Sequence, residues 1–122
     1  MPIEKVTDTQ RTTDKQQKKV FIFDITFSFI ATEGLLQTQY LERKLSKFFE
    51  QEQKNITVEV YNSNQVDKKA ADADIILLTP SFAYAKEEIE KKFPMIPVIL
   101  ITKKEYGTTD SRSLSHKIEK RL

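Results

Sequence analysis

The sequence predicts an α/β three-layer sandwich in which a four-stranded parallel sheet of order 2-1-3-4 carries helices on both faces. After residue 19, four short runs of β-branched and aromatic residues alternate with longer segments of helical periodicity, which is typical of repeated βα units. Three of the runs are almost entirely apolar, as expected of strands covered on both faces. The second run alternates apolar and polar residues, which predicts an edge strand. The predicted strands are Val20–Phe23, Ile56–Tyr61, Ile75–Leu78 and Pro97–Ile101.

The first strand has a second interpretation. Phe21, Phe23, Ile25, Phe27 and Phe29 alternate with other residues, and this period of two would extend the strand to about residue 30. We prefer a short strand followed by a loop, because strands three and four end after four or five residues. Phe27, Phe29 and Ile30 then either pack beneath the first helix or form an exposed patch that a partner contacts.

Four helices are predicted between and after the strands. The first follows Gly34, and its apolar stripe recurs at spacings of three and four residues. A short second helix is expected over residues 66–71, and a third over 81–92, because Pro94 cannot continue it. A fourth should begin at the N-cap residue Asp110 and run to the end of the chain. The stripe of the first helix consists of Thr38, Leu41, Leu45, Phe48 and Phe49.

The chain divides into a disordered tail or linker, residues 1–18, and one domain, residues 19–122. The first nineteen residues contain only three sizeable apolar side chains, Met1, Ile3 and Val6, too few to offset the entropy of ordering. Nothing in this segment resembles the apolar region of an export signal, and no apolar run approaches the roughly 20 residues that span a bilayer. The absence of cysteine fits a reducing compartment, so we expect a cytoplasmic protein.

Composition excludes several function classes. A net charge of +2 does not support nucleic-acid binding, and one histidine without cysteine excludes sulfur-type and histidine-rich metal centres. The only glycines are Gly34 and Gly107, and no glycine-rich nucleotide loop is present. Asp24 lacks the acidic neighbours with which a phosphorylated receiver domain binds a divalent cation. We therefore expect neither metal nor cofactor, although an unrelated flavodoxin-like binding module stays open as an alternative.

The candidate site follows from the predicted topology. Parallel α/β sheets bind ligands beyond the carboxyl ends of their strands, where strand order reverses. In the order 2-1-3-4 this point lies between strands one and three, so the loop that starts at Asp24 should meet the segment Thr79 to Ser81. Ser81 either contacts a ligand there or forms the N-cap of the third helix, and we prefer the N-cap interpretation. His116 is expected to be a solvated surface residue.

The second half of the chain carries a family resemblance. Residues 73–84 read ADIILLTPSFAY, and they are followed by Glu88-Ile89, Ile96-Pro97-Val98 and Tyr106-Gly107. Upstream, the segment Lys19 to Phe23 provides a short opening strand. In this order and spacing the residues resemble the enzyme IIB components of the sugar phosphotransferase system (PTS), lactose/cellobiose class. The resemblance covers the whole chain after the tail.

The resemblance implies a cytosolic phosphoryl carrier that takes phosphate from enzyme IIA and passes it to a sugar bound by the membrane component IIC. The family's carrier is a cysteine directly after strand one, in a loop whose N–H groups hold the phosphate. Here Asp24 stands at the cysteine position and Phe27 at a glycine position. Asp24 is either a negatively charged substitute for the phosphorylated cysteine or, as we prefer, a polar residue that ends the strand next to water. The preferred hypothesis is therefore a non-catalytic IIB-like domain linked to sugar uptake or its regulation. The alternative is a working phosphotransferase component with another acceptor.

IIB-like domains also occur at the C-terminal ends of PTS-controlled transcription regulators, and the polar tail would suit a linker in such a protein. The expected partners are IIA and IIC or another PTS phosphocarrier, without direct nucleic-acid binding and without membrane insertion. Asp24 is the candidate at the catalytic position. The candidates for a phosphate loop or partner surface are Thr26, Ser28, Thr32, Thr79, Ser81, Tyr84 and Tyr106.

Overall fold

Four parallel strands form one sheet in a computed structural model that describes residues 17–25 and 31–122, without the side chains of 31–36. The strand order is β2-β1-β3-β4, and every pairing is parallel. This confirms the predicted order and places the alternating second strand at an edge. The strands are β1 (Lys18–Asp24), β2 (Ile56–Asn62), β3 (Ile75–Leu78) and β4 (Val98–Leu100).

The ends of two strands differ from the predicted ones. β1 begins two residues before Val20 and ends at Asp24, because its backbone pairs with β2 from Lys18 to Asp24 whatever the polarity of the side chains. β4 is shorter than predicted and excludes Pro97 and Ile101. The end of β1 at Asp24 agrees with the preferred short strand. Phe27, Phe29 and Ile30 lie outside the described residues, as does the predicted tail up to residue 16.

Five α-helices occur in the described residues: α1 (Ala31–Gln51), α2 (Val66–Lys69), α3 (Lys86–Lys92), α4 (Lys103–Gly107) and α5 (Ser111–Arg121). The helix predicted over residues 81–92 is divided into a 3-10 segment, Pro80–Ala85, and α3. A 3-10 helix aligns residues three apart, and the two residues so aligned, Phe82 and Ala85, are both buried. None of these helices is long and apolar enough to cross a membrane.

Helix α4 was not predicted. It begins with a capping box, in which the Glu105 backbone N–H donates to the Thr102 hydroxyl and the Glu105 carboxylate accepts from the Thr102 N–H. The T-x-x-E spacing of these residues was the available sequence signal. The predicted helix that follows is confirmed as α5, with the Asp110 carboxylate accepting from the Ser113 N–H.

Apolar layers cover both faces of the sheet, which confirms the three-layer sandwich. Successive β1 side chains point to opposite faces, so Val20 and Ile22 join one layer and Phe21 and Phe23 the other. The first layer lies beneath α1 and α5, and the second beneath the 3-10 segment and α3. Four of the five predicted α1 stripe residues, Thr38, Leu41, Leu45 and Phe49, are fully buried, and Phe48 is partly buried.

Candidate functional site

Asp24 ends the central strand β1 at the carboxyl edge of the sheet, next to both β2 and β3. Its side chain is buried like those of Ile22 and Phe23 before it, and Asp24 itself is only 3% exposed. A buried carboxylate is costly unless hydrogen bonds replace its water. The polar groups around Asp24 therefore determine what this edge of the sheet can do.

Four donors converge on the Asp24 carboxylate. The Thr79 hydroxyl donates to Oδ1 at 2.6 Å and the Thr38 hydroxyl to Oδ2 at 2.6 Å. The Ile25 backbone N–H donates to Oδ1 at 2.8 Å, and the Ser81 hydroxyl reaches the same oxygen at 3.2 Å. Hydrogen bonds to a charged acceptor are shorter and stronger than neutral ones, which fits the two 2.6 Å distances. These four hydrogen bonds replace the water that the buried carboxylate has lost.

The hydrogen-bond chain continues from Thr38 to helix α4. The Thr38 hydroxyl lies 2.7 Å from the Tyr106 hydroxyl. Since the single Thr38 hydroxyl proton is donated to Asp24, Tyr106 acts as the donor to Thr38. Burial raises the pKa of Tyr106, the hydrogen bond with Thr38 lowers it, and the negative charge of Asp24 raises it, so that the pKa is raised overall. Tyr106 therefore stays protonated at neutral pH and remains a donor.

The structure thus brings four sequence-predicted site residues into one hydrogen-bonded group, together with one that was not predicted as a site residue. We call this group the Asp24 cluster: Asp24, Thr38, Thr79, Ser81 and Tyr106. Thr38 is the member that was not predicted as a site residue. It was assigned to the apolar stripe of the first helix, and it does lie on that stripe. The signal available was its chemistry, since a threonine in an otherwise apolar stripe carries a hydroxyl that must find a partner when buried.

One expectation for the segment after β3 needs correction. Ser81 does not cap the third helix, because the N-cap position belongs to Thr79 and the Ser81 hydroxyl is directed to Asp24. Tyr84 does not join the Asp24 cluster; it is 76% exposed and contacts the Phe82 ring edge-on with centroids 5.5 Å apart. Tyr84 lines a separate groove of about 260 Å³ between residues 63–67, which follow β2, and residues 82–92, which follow β3.

The remaining predicted site residues fall where the structure gives no side-chain position. Thr26 and Ser28 lie outside the described residues, and for Thr32 only the backbone is described, in the first turn of α1. His116 is exposed, as expected. Across residues 17–25 and 31–122 no three histidine, aspartate or glutamate side chains come close enough together to hold a metal ion.

A second buried carboxylate, Glu105, lies in the first turn of α4 and is 6% exposed. Burial by itself would raise its pKa, but the Ser113 hydroxyl at 2.6 Å, the Thr102 N–H at 2.9 Å and the Lys117 ammonium at 2.9 Å outweigh burial. The pKa of Glu105 is therefore lowered. These contacts attach α4 to α5 and so fix the helix that carries Tyr106.

These features define a class, a small α/β domain with a parallel 2-1-3-4 sheet and a polar cluster at the carboxyl end of its first strand. Residues 29–115 match the family described as PTS system, lactose/cellobiose specific IIB subunit. The chain belongs to this family. The family match starts beyond Asp24, which lies at the end of β1.

A solved structure shares the fold. The solution structure of the cellobiose-specific phosphotransferase IIB component protein from Borrelia burgdorferi is similar to this chain with a TM-score of 0.57 and 20% sequence identity. The similarity covers 80% of this chain and 86% of that one. At this level of identity the match shows the common fold, and it agrees with the family assignment.

Proposed function

We propose that this chain is a IIB-like domain that serves sugar uptake or its regulation without carrying phosphate, with Asp24 in place of the family's phosphorylated cysteine. One observation carries the proposal. The side chain at the end of β1 is a buried carboxylate that four donors already hold through both of its oxygens. A phosphoryl carrier needs a free nucleophile at this point, and Asp24 is a satisfied anion instead.

The hydrogen bonds make Asp24 a poor phosphoryl acceptor. To form an acyl phosphate, one carboxylate oxygen has to attack phosphorus, which would disrupt the 2.6 Å bond from Thr38 or from Thr79. The 3% exposure of Asp24 also limits the approach of a donor. Acyl-phosphate chemistry draws on a divalent cation to neutralise charge, and the described residues offer no group of three carboxylate or histidine ligands for one.

Further parts of the proposal follow from the family. The expected partners are IIA, IIC or another PTS phosphocarrier, contacting the carboxyl edge of the sheet, and the expected compartment is the cytoplasm. Residues 1–18 would link the domain to its surroundings, as in a PTS-controlled transcription regulator. None of these roles requires phosphoryl transfer by the chain itself, so all are compatible with a carboxylate at position 24.

Intact-mass spectrometry tests the proposal. The protein is incubated with phosphoenolpyruvate, enzyme I, the phosphocarrier protein and IIA of the lactose and cellobiose types, beside a cysteine-bearing IIB protein as positive control. We expect a phosphoryl adduct on the control and none on this chain. A stoichiometric adduct would overturn the proposal in favour of a working phosphotransferase component.

Two variants show why an adduct does or does not form. If an adduct forms, Asp24→Asn removes it only when Asp24 is the acceptor. If none forms, Asp24→Cys tests whether the surrounding loop still holds phosphate. A gain of phosphorylation in Asp24→Cys would mean that the loop geometry is retained and that the carboxylate alone blocks transfer.

A further inference from the structure

We propose that the hydroxyls of Thr38, Thr79 and Ser81, with the Ile25 backbone N–H, form an oxyanion-binding site whose resident ligand is the Asp24 carboxylate itself. The inference rests on the proposed non-catalytic role of Asp24. It extends that role, because it identifies the groups that donate to Asp24 as an anion-binding site. The site accepts a small carboxylate. In the wild-type chain the carboxylate is supplied internally and permanently.

Convergence of distant donors supports a built site. Thr38 is 14 residues from Asp24 in sequence, Thr79 is 55 and Ser81 is 57, so α1 and the segment after β3 approach the end of β1 from different sides. Thr38 and Thr79 are 0% and 1% exposed. A buried hydroxyl without an acceptor is unfavourable, and the two Asp24 oxygens accept from both of these hydroxyls at 2.6 Å.

The donor set also indicates the ligand class. In the described residues no lysine or arginine pairs with Asp24, and every donor to it is a neutral hydroxyl or amide. Short hydrogen bonds from neutral hydroxyl and amide groups are sufficient to stabilise a carboxylate. Three donors contact Oδ1 and Thr38 contacts Oδ2, so the donors are arranged to bind an anion through two oxygens.

The consequence for the domain is a constant charge state. A IIB protein of the cysteine type changes charge at the end of β1 when it is phosphorylated, whereas this chain keeps one buried negative charge there. External phosphate has no access to the same donors while Asp24 occupies them. Partners that contact this edge would therefore meet the same surface whatever the phosphorylation state of the PTS.

The test removes the internal ligand and offers an external one. Asp24→Gly deletes both the carboxylate and its Cβ, which leaves room for formate. Thermal unfolding is followed while formate replaces chloride at constant ionic strength and neutral pH. We expect the melting temperature of Asp24→Gly to fall in chloride and to rise saturably with formate. If the variant is unfolded in chloride, formate should restore a cooperative transition.

Asp74→Gly is the matched control, because Asp74 is exposed and its carboxylate accepts a single backbone N–H, that of Lys19, at 2.8 Å. Formate should leave the melting temperature of this variant unchanged. Adding Thr79→Val to Asp24→Gly removes one donor and should abolish the formate effect. No formate effect on Asp24→Gly, or an equal effect on Asp74→Gly, would overturn the proposal.

A measurement on the wild-type protein keeps the proposal testable if the glycine variant cannot fold under any condition. Inorganic phosphate is titrated into labelled protein while the amide resonances of Ile25, Thr79 and Ser81 are followed by NMR. We expect no saturable shift at these amides. A saturable shift would show that the donors are open to an external anion and that Asp24 is not their resident ligand. No PTS protein takes part in either experiment, so this inference and the proposed function can fail separately.

Discussion

The Thr38 hydroxyl lies 2.6 Å from Oδ2 of Asp24, and both residues are buried. This bond attaches the N-terminal half of α1 to the carboxyl end of β1. The same hydroxyl accepts from Tyr106, so one side chain connects β1, α1 and α4. Since each group depends on its neighbour for a proton or an acceptor, the Asp24 cluster should respond to mutation as a unit.

The first prediction concerns this bond. Thr38→Val keeps the side-chain shape but leaves one Asp24 oxygen and the Tyr106 hydroxyl without their shared partner. We expect a loss of about 1–3 kcal/mol in the free energy of unfolding, the typical cost of an unsatisfied buried polar group. Urea denaturation measures it. Thr57→Val is the control, because the Thr57 hydroxyl makes only a 3.4 Å contact to the Lys18 carbonyl. Equal losses in the two variants would contradict the prediction.

The second prediction concerns the ionisation of Tyr106. Asp24→Asn removes a negative charge that helps to raise the pKa of Tyr106, so this pKa should fall. A pH titration of tyrosinate absorbance measures the change, and Tyr106→Phe identifies which transition belongs to Tyr106. Tyr61 serves as an internal reference, because its hydrogen bond to Glu59 raises its pKa to about 12 and Asp24 has no part in that shift. An unchanged Tyr106 transition would mean that the Asp24 charge does not act on the phenol.

The third prediction ranks the two hydroxyls that follow β3. Thr79 is 1% exposed and donates at 2.6 Å, whereas Ser81 lies on the exposed side and donates at 3.2 Å. Thr79→Val should therefore cost about 1–3 kcal/mol, and Ser81→Ala less, because water can replace the serine hydroxyl. Urea denaturation of both variants gives the comparison. A larger loss of unfolding free energy in Ser81→Ala than in Thr79→Val would show that burial does not determine which hydroxyl contributes more to stability.

The strands and their order were predictable because apolarity and period report burial directly, as in the all-buried run of β3. The contact between Asp24 and Thr79 was predictable from the strand order, because the carboxyl ends of adjacent parallel strands lie at the same edge of the sheet. The role of Thr38 was not predictable. Periodicity placed it correctly on the buried stripe of α1, but the direction of its hydroxyl depends on the tertiary packing of α1 against β1.

In the segment after β3, residue type alone did not predict which residue caps the helix. Ser81 was a reasonable N-cap by residue type, but Pro80 and the 3-10 winding moved the cap to Thr79 and turned Ser81 toward Asp24. Helix α4 could have been predicted from its capping box, whereas the burial of Glu105 depends on contacts with α5. Local signals thus identified elements, and the hydrogen bonds between elements required the structure.

The fourth prediction concerns pH and Glu105. The pKa of Glu105 is lowered in the folded protein, so it lies below the unfolded value of about 4.3. A lowered pKa contributes stability that is present above the unfolded pKa and is lost as pH falls through the folded pKa. Glu105→Gln lacks this contribution. The difference in free energy of unfolding between wild type and Glu105→Gln should therefore be greatest near neutral pH and shrink as the solution is acidified below about pH 4.

The control for this pH series is Glu119→Gln, which alters an exposed glutamate on the same helix that carries Lys117. Its difference from wild type should stay small across the series, because surface substitutions that remove no buried contact have little effect on stability. Urea denaturation at a series of pH values supplies all three curves. If the wild-type advantage over Glu105→Gln were constant or grew in acid, the hydrogen bonds from Ser113, Thr102 and Lys117 would not be favouring the charged form. Packing would then hold α4 against α5. The contact between Tyr106 and Thr38 would not depend on the charge of Glu105.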